Sequence, residues 1–217
     1  MYRFNEQGDI INKYRIEGAE NSDWEDIAQD KNYLYIADSG NNNGKRKNLN
    51  IQIIDPRKNF KKIGIITFDY REQQSFEKRN KHPFDAEALI ATQDVLVLFS
   101  KNRKNYTTEL YSIPKTSGNY TLSSKKSFDV QSLITGADYH NGLKLVALVG
   151  YIRSGEQFLY TLSSFDMDNL NQVKMKKFKL PLDGKQIEAI KIIDQNNFWI
   201  TSEGEELDYP MLYKIKL

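Results

Sequence analysis

Residues 85–113 read DAEALIATQDVLVLFSKNRKNYTTELYSI. The stretch holds three strand-sized apolar runs. An acid-bearing opener, Asp85-Ala86-Glu87-Ala88-Leu89, is followed by Val95 to Phe99 and then by Leu110-Tyr111-Ser112-Ile113. Polar, turn-forming residues separate them, so each run is too short for a helix and reads as a strand. A fourth, more polar run, Leu122 to Phe128, comes next. The same order recurs along the chain. Openers stand at Asp23-Trp24-Glu25-Asp26-Ile27, Thr135-Gly136-Ala137-Asp138-Tyr139 and Gln186-Ile187-Glu188-Ala189-Ile190. Their third residues, 25, 87, 137 and 188, are spaced by 62, 50 and 51. Second strands follow at Tyr33 to Ala37, Lys144 to Leu148 and Phe198 to Thr201. Third strands follow at Ile51 to Ile54, Leu159 to Leu162 and Leu212 to Ile215. Outer strands are expected at Lys62 to Phe68 and Val173 to Leu180.

Four short strands per unit of about fifty residues predict an all-β fold, a β-propeller of four-stranded antiparallel blades. One such blade has two apolar faces and buries neither alone; neighbouring blades bury both. The expected count is about four to five blades in a single domain over residues 1–217. Repeats span 19–70, 82–130, 131–181 and 184–217. Residues 1–18 form a partial blade or closing strands, because Met1 to Phe4 reads as a third strand and Ile10 to Ile16 as an outer one. Two closures follow. Either Ile10 to Ile16 latches onto the last blade, or a fifth blade lacks its first half at the N-terminus, which is the reading we favour. No segment has a helical period, and 70–81 reads as a long polar connection.

Composition narrows the function classes. Of 217 residues 39% are apolar and 28% charged, ordinary for a globular domain. Lys and Arg number 31 against 29 Asp and Glu, a net charge of +2. Such balance gives no field for nucleic acid. There is no Cys, hence no disulfide, thiolate site or Cys nucleophile, and two His are too few for a multi-histidine metal centre. The opening MYRFNEQGDI lacks a signal peptide's basic and apolar regions, and no apolar run reaches the length of a membrane span.

Asn21 to Asp30 followed by Asp38 to Arg46 has the pattern N-x-D-W-E-D-I…D-x-G-N-N-x-G-x-R. With the later openers, this resembles a family of bacterial, often secreted or envelope-associated β-propellers. That family is distantly similar to phytase-like and esterase-like propellers. The resemblance covers essentially the whole chain. It implies a secreted or envelope location, which the absent signal does not support, and an earlier blade opening ahead of residue 1. It carries no reaction.

First strands line a propeller's channel, so Glu25, Glu87 and Glu188, with Asp138 one place displaced, are expected to converge. Converging carboxylates need a cation, a basic side chain or a proton. Ca²⁺, an oxygen-seeking ion, suits such a site, with these four acids as its candidate ligands; the reading we favour is that the acids bond strand-start N–H groups or face channel water. The loop 38–46, DSGNNNGKR, offers Asp38, Asn41, Asn42 and Arg46 as ligand-binding candidates, and it also reads as a simple turn. It is neither an EF-hand nor a P-loop. Lys101, Arg103 and Lys104 occupy the equivalent loop of the next repeat, and Glu203, Glu205 and Glu206 that of the last. Of these, Lys101 and Glu203 are candidate contacts at a rim of mixed charge. His82 and His140 have no triad companions nearby in sequence, and His140 reads as a surface turn residue.

Two functions are in view. The first is a monomeric, non-catalytic scaffold that binds a small molecule or a protein at one rim, with a structural cation in the channel. The second is a metal-dependent hydrolase of phosphate or carboxylic esters. Neither involves nucleic acid or a membrane span.

Overall fold

The computed structural model describes residues 1–204 and 209–217. Glu205 and Glu206 lie outside the described residues. The architecture is all-β, a propeller of four blades preceded by a separate hairpin. The hairpin joins β1 (Tyr2–Phe4) to β2 (Ile10–Lys13). Blade 1 contains β3 (Asp26–Gln29), β4 (Leu34–Asp38), β5 (Asn50–Asp55) and β6 (Lys61–Tyr70). Blade 2 contains β7 (Ala86–Ala91), β8 (Val95–Ser100) and β9 (Thr108–Pro114). Its chain then forms β10 (Gly118–Leu122) and the short outer strand β11 (Lys126–Phe128). Blade 3 is β12 (Leu133–His140), β13 (Leu145–Tyr151), β14 (Gln157–Ser163) and β15 (Lys174–Leu180). Blade 4 is β16 (Ile187–Ile192), β17 (Asn197–Ser202) and β18 (Met211–Lys216).

Pairing within each blade is antiparallel. The apolar alternation read in the sequence becomes blade-to-blade packing. Tyr35, Ile51, Leu89 and Leu98 join blades 1 and 2. Phe99, Val146 and Tyr160 join blades 2 and 3, and Leu159, Phe198 and Ile200 join blades 3 and 4. Each such side chain contributes about 1.5–3 kcal/mol when fully buried. The second strands β4, β8 and β13, covered on both faces, are almost wholly buried. This is why they read as unbroken apolar runs.

Two expectations change. Leu122 to Phe128 is not one outer strand. Residues 118–122 leave blade 2 and pair in parallel with β6 of blade 1, from Gly118↔Ile66 to Leu122↔Tyr70. Only 126–128 return to β9. The latch does not form either. Ile10–Lys13 pairs with Tyr2–Phe4, and β18 has no outer strand among the described residues. The residues flanking the hairpin, Met1 and Ile16, instead pack on blade 1 with Trp24, Leu34, Ile36 and Ile54, while the hairpin's own strands are exposed. Glu6 in its turn reaches Lys214 of blade 4 at 2.7 Å. It thus stands between the last blade and the first. Residues 71–85 form turns and irregular chain, as expected for a polar connection.

Candidate functional site

The inner strands β3, β7, β12 and β16 lie side by side, and their first residues gather at one mouth of the channel. Pairing with the second strands fixes which residues are equivalent. In blades 2, 3 and 4 the ladder skips one residue: Ala86↔Ser100 is followed by Ala88↔Phe99, Ile134↔Gly150 by Gly136↔Val149, and Ile187↔Ser202 by Ala189↔Thr201. The extra residues, Glu87, Thr135 and Glu188, are β-bulges, which turn a side chain out of the ladder. Glu25 occupies the same place in blade 1, its N–H donating to Ala37 O at 2.9 Å. The blade 3 equivalent is therefore Thr135, whose Oγ1 donates to Ile187 O.

Asp138 does not belong to this ring, contrary to its expected role. It sits three residues deeper along β12, accepting from Ile192 N at 2.8 Å and from Lys191 Nζ at 2.9 Å. It staples blade 3 to blade 4, as Asp26 staples blade 1 to blade 2 through Leu89 N at 2.8 Å.

Lys101 lies among the glutamates, 3% exposed. Its ammonium is ion-paired with Glu87 and stands 5.0 Å above the centre of the Tyr151 ring. Arg103 bonds Asp85 at 2.7 Å and Glu87 at 3.4 Å, and it also donates to Asn42 Oδ1. Glu188 accepts from Gln186 Nε2 at 2.7 Å. Burial raises the Glu188 carboxyl, and burial likewise raises Glu87 against the pull of Lys101. Glu25 is pushed up to about 9, first by burial and then by Glu87, Asp23 and Asp85. Glu25 and Asp23 both lie over Gly40, where a Cβ would strike Glu25 Oε1 and Asp23 Oδ2. Glycine there lets two carboxyl groups share the space above the backbone.

Charge at the mouth is thus offset by Lys101, Arg103 and retained protons. Among the described residues no group of three His, Asp or Glu side chains is placed to hold a metal ion.

The other candidates are distributed as follows. Asp38 is buried and accepts from Asp23 N at 2.9 Å and Arg46 Nη2 at 2.8 Å. Asn41 accepts from Arg46 N and donates to Phe84 O, both at 2.9 Å. Arg46 also donates to Gly40 O at 2.7 Å. These three hold the loop 38–46 in shape and onto blade 2, with Gly44 at φ +69° closing its turn. Asn42 meets Arg103 and so reaches the mouth. Glu203 is exposed beside Glu188, its N–H donating to Gln186 O at 2.8 Å. His82 is buried beneath the loop, its Nδ1 accepting from Phe84 N at 3.1 Å, and burial lowers its pKa. His140 caps the turn after β12, accepting from Leu143 N at 3.2 Å.

The sequence reading missed Asp23, Asp85, Tyr151 and Gln186. Asp23 and Asp85 had a signal, since each stands two residues before a repeated glutamate. Gln186 had the same signal, standing two residues before Glu188. Tyr151 had none; it ends β13, the second strand of blade 3.

Among the described residues no helix is long and apolar enough to cross a membrane. No family model and no curated protein matches the chain. A solved structure described as "Crystal Structure of Mitotic Checkpoint Complex" is similar at a TM-score of 0.47 and 9% identity. The match covers 88% of this chain and 64% of that one, so the chain spans under two thirds of its length.

Proposed function

We propose that the protein is a non-catalytic binding scaffold whose channel mouth receives a cationic group, an ammonium or guanidinium, of a small-molecule or protein ligand. One observation supports this. Lys101 and Arg103 are spent on Glu87 and Asp85, while the carboxyl groups of Glu25 and Asp23 lie together over Gly40 with no ion pair to either among the described residues, Arg46 being turned to Asp38. A ligand cation there offsets the burial and the neighbouring acids that together keep Glu25 protonated, so binding strengthens as pH rises towards 9.

Thermal melts test the reading with tetralysine, tetraglutamate, excess Ca²⁺ and EDTA. A folded-state ligand raises Tm by mass action. Tetralysine is expected to raise Tm in wild type and not in Glu25→Gln; an equal shift in both proteins sinks the proposal. A rise with Ca²⁺ that Glu25→Gln abolishes would instead make a metal ion the mouth's cation.

A second reading, hydrolysis of esters, is favoured by Glu25 itself, an acid kept protonated beside a carboxylate. It requires turnover on an ester and phosphate panel that Glu25→Gln removes; a flat panel ends it.

A further inference from the structure

A recess of about 220 Å³ opens beside the mouth, between blades 3 and 4. Tyr151, Arg153, Gly155, Gln157, Gly184 and Gln186 are among its lining residues. Two of them belong to the mouth as well: Tyr151 carries Lys101 over its ring, and Gln186 donates to Glu188. The recess is smaller than a site for a drug-sized molecule and suits one end of a longer ligand.

Main-chain bonds fix its walls. The turn after β13 is closed by Ile152 N donating to Glu156 O at 3.0 Å and Gly155 N to Ile152 O at 2.9 Å. Gly184 N, on the segment that leads into blade 4, donates to Gly155 O at 2.9 Å and clips that segment to blade 3. Gly155 and Gly184 have φ of +97° and +77°, conformations that glycine holds without strain.

Within this frame two groups lack a partner. Gln157 is 2% exposed, and its Nε2 donates to Gly155 O at 3.1 Å, but its Oε1 accepts no hydrogen bond. A buried amide oxygen left so is unfavourable until a donor reaches it. Arg153 is exposed at the rim and forms no ion pair among the described residues. The acids on the flanking turns are engaged elsewhere, Glu156 with Lys179 at 2.8 Å and Asp183 with the same lysine at 3.5 Å. A guanidinium matches a carboxylate with two parallel bonds. The Gln157 oxygen calls for an N–H beside it. A carboxylate next to an amide N–H is the end of a peptide chain, whereas a phosphate would answer Arg153 and bring no donor to Gln157.

We infer that the recess binds the C-terminal carboxylate of a peptide whose basic group occupies the mouth. Arg153 pairs with the carboxylate, and the last amide N–H donates to Gln157 Oε1. The ligand is thus zwitterionic, with its cation at Glu25 and Asp23; for that end the inference rests on the mouth being a cation site. Capture of a chain terminus in this way is a recurring mode of peptide recognition.

Titration calorimetry and thermal melts test it with three probes: tetralysine with a free carboxylate, tetralysine amide, and N-acetyl-diglycine, which has the carboxylate and N–H but no cation. The mouth alone binds the amide at least as tightly as the acid, because amidation removes a negative charge from the peptide. The recess reverses that order. Wild type is expected to bind tetralysine at least tenfold more tightly than its amide, with a rise in Tm larger by about 3–5 °C at saturation. Arg153→Gln changes an exposed turn residue and is expected to lose the preference while still binding the amide. Equal binding of acid and amide by wild type, or a preference that survives in Arg153→Gln, overturns the inference. N-acetyl-diglycine separates it from the reading of the mouth. It is expected to bind weakly, to stop binding in Arg153→Gln and to bind Glu25→Gln unchanged. If tetralysine fails to bind, the mouth reading falls; Arg153-dependent binding of N-acetyl-diglycine then upholds the recess as a carboxylate site, and no binding ends it.

Discussion

Lys101 shows how one side chain sets the character of the mouth. A buried ammonium has to be compensated, and Glu87 does so while Tyr151 offers its ring face. Lys101→Met removes the ammonium and leaves buried Glu87 with Arg103, at 3.4 Å, as the cation still paired with it among the described residues. It is expected to cost about 3–5 kcal/mol in urea unfolding at pH 7. The double variant Lys101→Met/Glu87→Leu is expected to recover most of that loss, because two apolar groups of similar volume need no pairing. A double variant as unstable as the single one would show that Lys101 acts through packing alone. The acid pattern was legible as far as Glu25, Glu87 and Glu188. It failed in blade 3, where Thr135 holds the equivalent place and the nearest acid, Asp138, has another task. A carboxylate bonding a backbone N–H in the next blade looks the same in sequence as one facing a channel.

At the scale of the element, the strands were legible because period-two burial imposes period-two composition, and the turns between them are polar. The exception is β10. Its parallel pairing with β6 joins residues about fifty apart in sequence, and local composition does not record such a partner. Close approach of strands does leave a trace in glycine. Gly150 of β13 faces Leu133 O, and a Cβ there would press on that carbonyl and on the Leu133 carbonyl carbon, 3.0 Å away. Backbone cannot swing aside as a side-chain end can. Gly150→Ala is expected to destabilise by about 1–3 kcal/mol. Gly8→Ala meets nothing within 4 Å, and its cost is confined to the strain of φ +88°. Comparing the two variants by chemical denaturation separates steric from conformational loss.

For the molecule as a whole, the half-buried acids Glu25 and Asp26 give stability a pH dependence of unusual sign. Burial pushes Asp26 up to about 8 and Glu25 up to about 9. An unfolded chain releases these protons near pH 4, so between about pH 4 and pH 8 the folded state holds more protons than the unfolded one. Stability contributed by these groups is present below that range and is lost as pH rises through it. Midpoints in urea are expected to fall from pH 5 to pH 9, by at most ~1.4 kcal/mol per pH unit for each group. Asp26→Asn keeps an acceptor for Leu89 N–H and is expected to flatten the slope; a slope unchanged in that variant would exclude Asp26 as its source. Ring closure belongs to this scale too and was the least legible part. The sequence contained the strands of the hairpin, but whether they latch onto blade 4 or stand apart depends on distances across the ring.

The crossing of β10 also has a meaning in time. A strand lent by blade 2 to the edge of blade 1 makes the opening of either blade conditional on the other. Deuterium can reach the amides buried in that parallel ladder only after the strand peels away, so the two blades share one clock. Blade 4 and the hairpin, linked at their turn by the exposed Glu6–Lys214 pair, keep faster clocks of their own.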